Sequence, residues 1–112
     1  MKIAIPCADK KLCMHFGHCQ EFAIVTVNDE SKKIEKTEMK TPPPHEPGVL
    51  PQWLAEQNVN VVIAGGMGSR AQALFEESGI HVLVGATSDN PETIVESYLN
   101  QELTTGANVC DH

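Results

Sequence analysis

The sequence predicts an α/β domain: a mixed sheet of about five strands carrying three helices. Three observations point there. The first forty residues hold short segments of strand chemistry separated by turn residues. From Leu50 onward, helical spacing alternates with β-branched runs. Gly79 and Asn90-Pro91 then fall where helices should stop and start.

Lys2 to Pro6 reads as a short buried strand stopped by Pro6, and residues 7 to 20, lacking any period, read as a loop. Glu21 to Asn28 alternates as a second strand, with Phe22, Ile24 and Thr26 on one face. Turn residues 28 to 31 return it as a polar edge strand, Lys33 to Lys40, before Pro42 to Pro44 break regular structure. The first third is therefore an antiparallel meander. Leu50, Trp53 and Leu54 form one helical face, opened by Pro51 in the first turn. Val59 to Ala64 is a β-branched run expected to be covered on both sides. Ser69 to Ser78 is a helix with Ala71, Leu74 and Phe75 inward and Gly79 as its stop. His81 to Val84 is a further buried strand, in which His81 is structural. Asn90 caps a last helix with Pro91 at its first position and an apolar stripe of Ile94, Val95, Tyr98 and Leu99. One domain over residues 1–103 and a Cys/His tail over 104–112 complete the chain.

At 112 residues the chain can bury a core without disulfides. Fifteen acidic against eight basic residues, a net charge of −7, argue against binding naked nucleic acid. Arg70 is the only arginine. No segment reads as a signal peptide or has the apolar length to cross a bilayer, so a cytoplasmic protein is expected. Four cysteines in that compartment are better explained as ligands or redox groups than as a disulfide framework. Cys7 suits the core as well as it suits a metal. No nucleophile elbow, Ser-His-Asp pattern or clustered acid pair suggests an enzyme.

Two motifs carry chemistry. AGGMGSRA, residues 64 to 71, follows a buried strand and opens a helix, so Gly65, Gly66 and Gly68 leave backbone N–H groups where an anion is favoured. The same glycines also suit a tight, close-packed turn, and neither a phosphate loop nor a dinucleotide fingerprint is present. The second motif is CMHFGHC, residues 13 to 19, together with Cys110-x-His112. Cys13-x-His15 and Cys110-x-His112 share an i, i+2 spacing that turns both members of each pair the same way in extended chain. Brought together they would form a tetrahedral S2N2 site suited to zinc or iron. His18, Cys19, Cys7 and His45 are additional donors. No Cys-x-x-Cys is present, which excludes a zinc ribbon and a thioredoxin-like site.

MKIAIP, His15-Phe16-Gly17, His45-x-Pro47-Gly48-x-Leu50-Pro51-x-Trp53-Leu54, VVIAGGMGSRA, Gly79-Ile80, VGA at 84–86, Tyr98-Leu99 and GANVCDH follow one another along nearly the whole chain. In that order they resemble the dinitrogenase iron–molybdenum cofactor biosynthesis family, of the NifX and NifB C-terminal type. The resemblance implies a ribonuclease-H-like fold with a five-stranded mixed sheet flanked by helices. It also implies a non-enzymatic protein that carries or helps assemble metal–sulfur clusters. An iron–sulfur or iron/molybdenum–sulfur cluster would be held by Cys13, Cys19 and Cys110, with His15, His18 and His112 as alternates. His45 would line the pocket, and Gly65, Gly66 and Gly68 would donate backbone N–H groups. The glycine turn and the 13–19 segment would face one cleft at the strand ends. A structural zinc in an interaction module is the alternative, and the implied partners are a radical-SAM cofactor-assembly protein or a MinD-like ATPase.

Overall fold

A computed structural model describes residues 1–8, 11–12, 21–43, 49–86 and 90–100. Its central strand is β1 (Lys2–Ala8), buried from Ile3 to Cys7. On one side β1 pairs antiparallel with β3 (Glu21–Val27), which pairs antiparallel with the edge strand β4 (Ile34–Lys40). On the other side it pairs parallel with β5 (Val61–Ile63), and β5 with β6 (His81–Leu83). The order β4-β3-β1-β5-β6, with only β3 opposed, is the expected ribonuclease-H-like five-stranded mixed sheet. A two-residue strand, β2 (Lys11–Leu12), pairs antiparallel with the end of β1.

Helices α1 (Val49–Glu56), α2 (Ser69–Glu77) and α3 (Pro91–Leu99) cover the sheet. Leu50, Leu54, Met67 and Phe75 pack with Ala4, Phe22, Ile24 and Val62 on one face. Ile94 and Val95 of α3 pack with Ile3, Ile5, Cys7, Ala23, Val25, Val61 and Ile63 on the other. Alternate residues of β1, β3 and β5 therefore feed opposite cores, as a pleat covered on both sides requires. Trp53 meets Phe22 edge-on, with ring centroids 5.8 Å apart.

Local chemistry sets the ends. Asn28 Oδ1 accepts from the N–H groups of Glu30 and Ser31 and closes the β3–β4 turn. Asn90 caps α3 by accepting from Thr93 N at 2.8 Å. Gly79, at φ +81°, ends α2: Ile80 N donates to Phe75 O and Gly79 N to Glu76 O. Asn58, at φ +64°, ends α1 in the same way.

Four expectations change. Pro6 does not stop β1, because it falls between Ala4, the last residue paired with β5, and Cys7, the first paired with β2. A missing donor facing that gap breaks no ladder bond. Residues 7 to 20 are not all loop, since Cys7–Ala8 finish β1 and Lys11–Leu12 form β2. The second strand is buried on both faces rather than one, because α3 covers Ala23 and Val25 while α1 covers Phe22 and Ile24. His81 to Leu83 is a half-covered edge rather than a buried strand, since nothing described pairs beyond it.

Candidate functional site

β1, β4, β5 and β6 point the same way, so their carboxyl ends share one edge of the sheet. At that edge the chain leaves β1 by way of β2, on its β5 side, and returns as β3 on the opposite side, while it leaves β5 toward α2 and β6. A reversal of this kind opens a crevice between the two departing segments, where ligands of open α/β sheets are bound. Leu12 and Glu21, the described ends of the CMHFGHC segment, both pair with Cys7. They lie on opposite sides of β1, with Leu12 in the place that an extended β5 would occupy.

β5 makes way for it. Past Ile63 the chain stays with the β6 side: Ala64 N donates to Leu83 O at 2.8 Å, Gly85 N to Gly65 O at 2.9 Å and Ala86 N to Ala64 O at 3.2 Å. Gly65 and Gly66 are buried, and Met67 drives its side chain fully into the α1–α2 core. Met67 is thus the anchor of the turn. Its carbonyl accepts from Gln72 Nε2 at 2.8 Å, and Gly68 O accepts from Gln72 N at 3.1 Å. Gly68 is the N-cap of α2, with φ −63° and ψ 152°, and no side chain caps the helix. Among the described residues, the donors of the first turn, from Ser69 to Ala71, therefore have no intrahelical acceptor and no capping side chain. A Cβ on Gly68 would meet nothing within 4 Å, so the turn needs no glycine there for room. The bare backbone at Gly68 fits a position where donors face outward.

Of the predicted site residues, Gly65, Gly66 and Gly68 are thus placed at this edge. Cys13, His15, His18, Cys19, His45, Cys110 and His112 lie outside the described residues. The anchors of their segments do not. Lys40, in register with Phe22, ends β4 at the same edge as Leu12 and Glu21. Tyr98 and Leu99, at the end of α3, share a cavity of about 280 Å3 with Met1, Val27, Asn28, Asp29 and Lys32, at the opposite edge.

Cys7 turns into the α3-side core, 1% exposed, with Sγ donating to Ile5 O at 3.3 Å, so it serves packing. Among the described residues no three His, Cys, Asp or Glu side chains gather to hold a metal. Arg70, exposed in the first turn of α2, was legible in the sequence as the lone arginine, but its place next to the glycine turn is what gives it a bearing on the crevice. The described cavities lie at the amino edge and in the groove between α1 and α2, away from this turn. No helix among the described residues is long and apolar enough to cross a membrane.

The fold defines a class of small α/β proteins that solved structures share. The chain superposes on the crystal structure of PH0822 with a TM-score of 0.84 and 25% identity, covering 95% of this chain and 96% of that one. The apo form of the orange protein from Desulfovibrio gigas has the same fold, with a TM-score of 0.71, 20% identity and coverage of 96% and 93%. The uncharacterised protein MJ0580 of Methanocaldococcus jannaschii is 31% identical over 97 residues, 84% of this chain and 82% of that protein. Residues 1–101 match the family described as dinitrogenase iron–molybdenum cofactor, and the chain belongs to that family.

Proposed function

We propose that this protein is a non-catalytic carrier of an anionic metal–sulfur cluster, of the iron–sulfur or iron/molybdenum–sulfur kind. The cluster is cargo, held at the carboxyl edge of the sheet. The observation that supports this most directly is the register at Cys7, with Leu12 and Glu21 on either side and the Gly65–Gly68 turn beyond. It sets the flanks of the CMHFGHC segment at the carboxyl edge of the sheet, the edge where β5 ends before the uncapped start of α2. Thiolates of Cys13, Cys19 and Cys110 would ligate the soft metal, with His15, His18 and His112 as alternates and His45 on the wall. N–H groups from Gly65 to Gly68 would offset the negative charge of sulfide. A reducing cytoplasm suits thiolate ligands, and a radical-SAM cofactor-assembly protein or a MinD-like ATPase is the proposed partner in loading or delivery.

Anaerobic reconstitution with iron and sulfide tests this. Iron and acid-labile sulfide should be bound together with a visible chromophore, which Cys13→Ala and Cys19→Ala abolish and Cys7→Ala retains. A colourless protein without sulfide refutes the carrier. One zinc per chain, lost in Cys13→Ala and Cys110→Ala, would replace it with a structural Cys2His2 site.

A further inference from the structure

β4 is an outer strand of the sheet, and its outward N–H and C=O groups have no partner strand among the described residues. Its register with β3 sets Thr37 and Met39 opposite Val25 and Ala23, on the α3 face, and Lys36, Glu38 and Lys40 on the other face. Three features of the strand are left open. Met39, 41% exposed, is the one exposed large hydrophobic among the described residues. Thr37 Oγ1 is shielded from solvent without a hydrogen-bond partner among the described residues. Lys36 Nζ and Glu38 Oε1 lie 3.0 Å apart, so charge alternates along one solvent-facing side. We propose that β4 is the contact of a twofold dimer, in which it pairs antiparallel with β4 of a second copy about Thr37.

Thr37 is the middle residue of the seven-residue strand, so a twofold axis there pairs the whole strand with itself. Residues directly opposite in an antiparallel pair share a face and interact. Lys36 then meets Glu38 of the second copy, and Glu38 meets its Lys36. The two intrachain ion pairs join into a ring of alternating charge. Thr37 meets Thr37, which gives each shielded hydroxyl the neighbour that it lacks. Met39 is covered by the bulge that Glu35 makes between Ile34 and Lys36. Lys40 falls opposite Ile34, between Lys33 and Glu35 of the second copy, so its charge is balanced.

Other registers serve less well. Centred on Lys36 or on Glu38, the pairing sets like charges directly opposite each other. Centred on Met39 or farther out, it leaves most of the strand unpaired. Charges on an edge strand deter pairing with a sheet that does not match them. On β4 their alternation makes that guard self-complementary, which favours a second copy over an unrelated strand. Antiparallel pairing sends the two carboxyl edges in opposite directions, so both crevices stay open, and the dimer does not depend on the carrier reading. One strand edge is a small interface, so the dimer should dissociate readily on dilution.

The test is sedimentation equilibrium on the metal-free full-length protein, with amide exchange by NMR to locate the contact. Wild type should dimerise reversibly, and outward-facing β4 amides should exchange more slowly as concentration rises. Lys36→Glu and Glu38→Lys each place like charges opposite one another at both ends of the ring, and each should weaken the dimer about tenfold or more. An equimolar mixture of these two variants restores the opposite-charge pairs, as does the double variant, so both should recover most of the wild-type affinity. Unchanged protection of β1 amides shows that the fold is intact in every variant. A protein that is monomeric at NMR concentrations overturns the proposal. So does a dimer that the single variants leave unchanged or that the mixture fails to restore. Protection of β4 that does not vary with concentration assigns the edge to the chain's own residues and overturns it as well.

Discussion

Gly68→Ser separates what the glycine turn does for the fold from what it does for the cargo. At φ −63° and ψ 152° any L-residue is unstrained, and a Cβ there meets open space. Replacing glycine at a compatible position reduces the freedom of the unfolded chain and stabilises by about 0.4–1 kcal/mol. A serine N-cap adds a few tenths of a kcal/mol by accepting from Arg70 N or Ala71 N, the donors that Gly68 leaves uncapped. The metal-free variant should therefore gain about 1 kcal/mol, which at a urea m-value of about 1–3 kcal/mol/M raises the midpoint by roughly 0.3–1 M. The same hydroxyl now occupies a donor proposed to face the cluster. An anion at a helix start is worth about 0.3–1 kcal/mol, so the affinity for the anionic cargo should fall by up to about fivefold. Urea denaturation of the apo protein and titration of the reconstituted cluster read the two effects independently. A lowered midpoint refutes the cap geometry. A raised midpoint with unchanged cluster affinity refutes the role of these donors.

The other predictions concern single anchors. Met67→Ala should cost about 2–5 kcal/mol, because it empties a fully buried position that pins the turn, and thermal or urea unfolding measures it. Asn90→Ala should cost about 1 kcal/mol through loss of the cap to Thr93 N, with the fold otherwise retained. Cys7→Ala should lower stability by about 1 kcal/mol while leaving metal loading unchanged, the reverse of Cys13→Ala. The hydrogen-bonded Lys36 ammonium, 3.0 Å from Glu38, holds that solvent-facing carboxyl below the ordinary glutamate value. A depressed folded pKa stabilises above the ordinary value and is lost as pH falls through the lowered one. Lys36→Met should raise the Glu38 midpoint seen by NMR while barely moving the unfolding curve, since the pair is screened by water.

Much of the architecture is written in short-range chemistry that a sequence displays. Asn90-Pro91 starts α3 and Gly79 ends α2 because capping involves residues only a few positions apart. The run at Val61–Ile63 announces a strand covered on both faces because each neighbour must be apolar. The glycine turn is legible for the same reason, as is the chemistry of CMHFGHC, since soft donors stay soft in any conformation. Membership of the iron–molybdenum cofactor family rests likewise on motifs in sequence order, and residues 1–101 bear it out.

What local rules could not decide is where strands lie relative to one another. Pro6 reads as a strand end by itself, yet it sits inside β1 because pairing with β5 stops before it and pairing with β2 begins after it. Whether β3 is covered on one face or two depends on where α3 lands, ninety residues from the start of the chain. The site shows the same division. Residue types nominate Cys13, His15, Cys110 and His112, but only the register puts the flanks of the first pair, Leu12 and Glu21, at the carboxyl edge of the sheet. Only the packing of α3 sets its end, at Tyr98 and Leu99, beside Met1 and Val27 at the other edge. Side-chain chemistry belongs to single residues and survives without a fold. Proximity belongs to pairings between distant residues, and only the assembled sheet decides those.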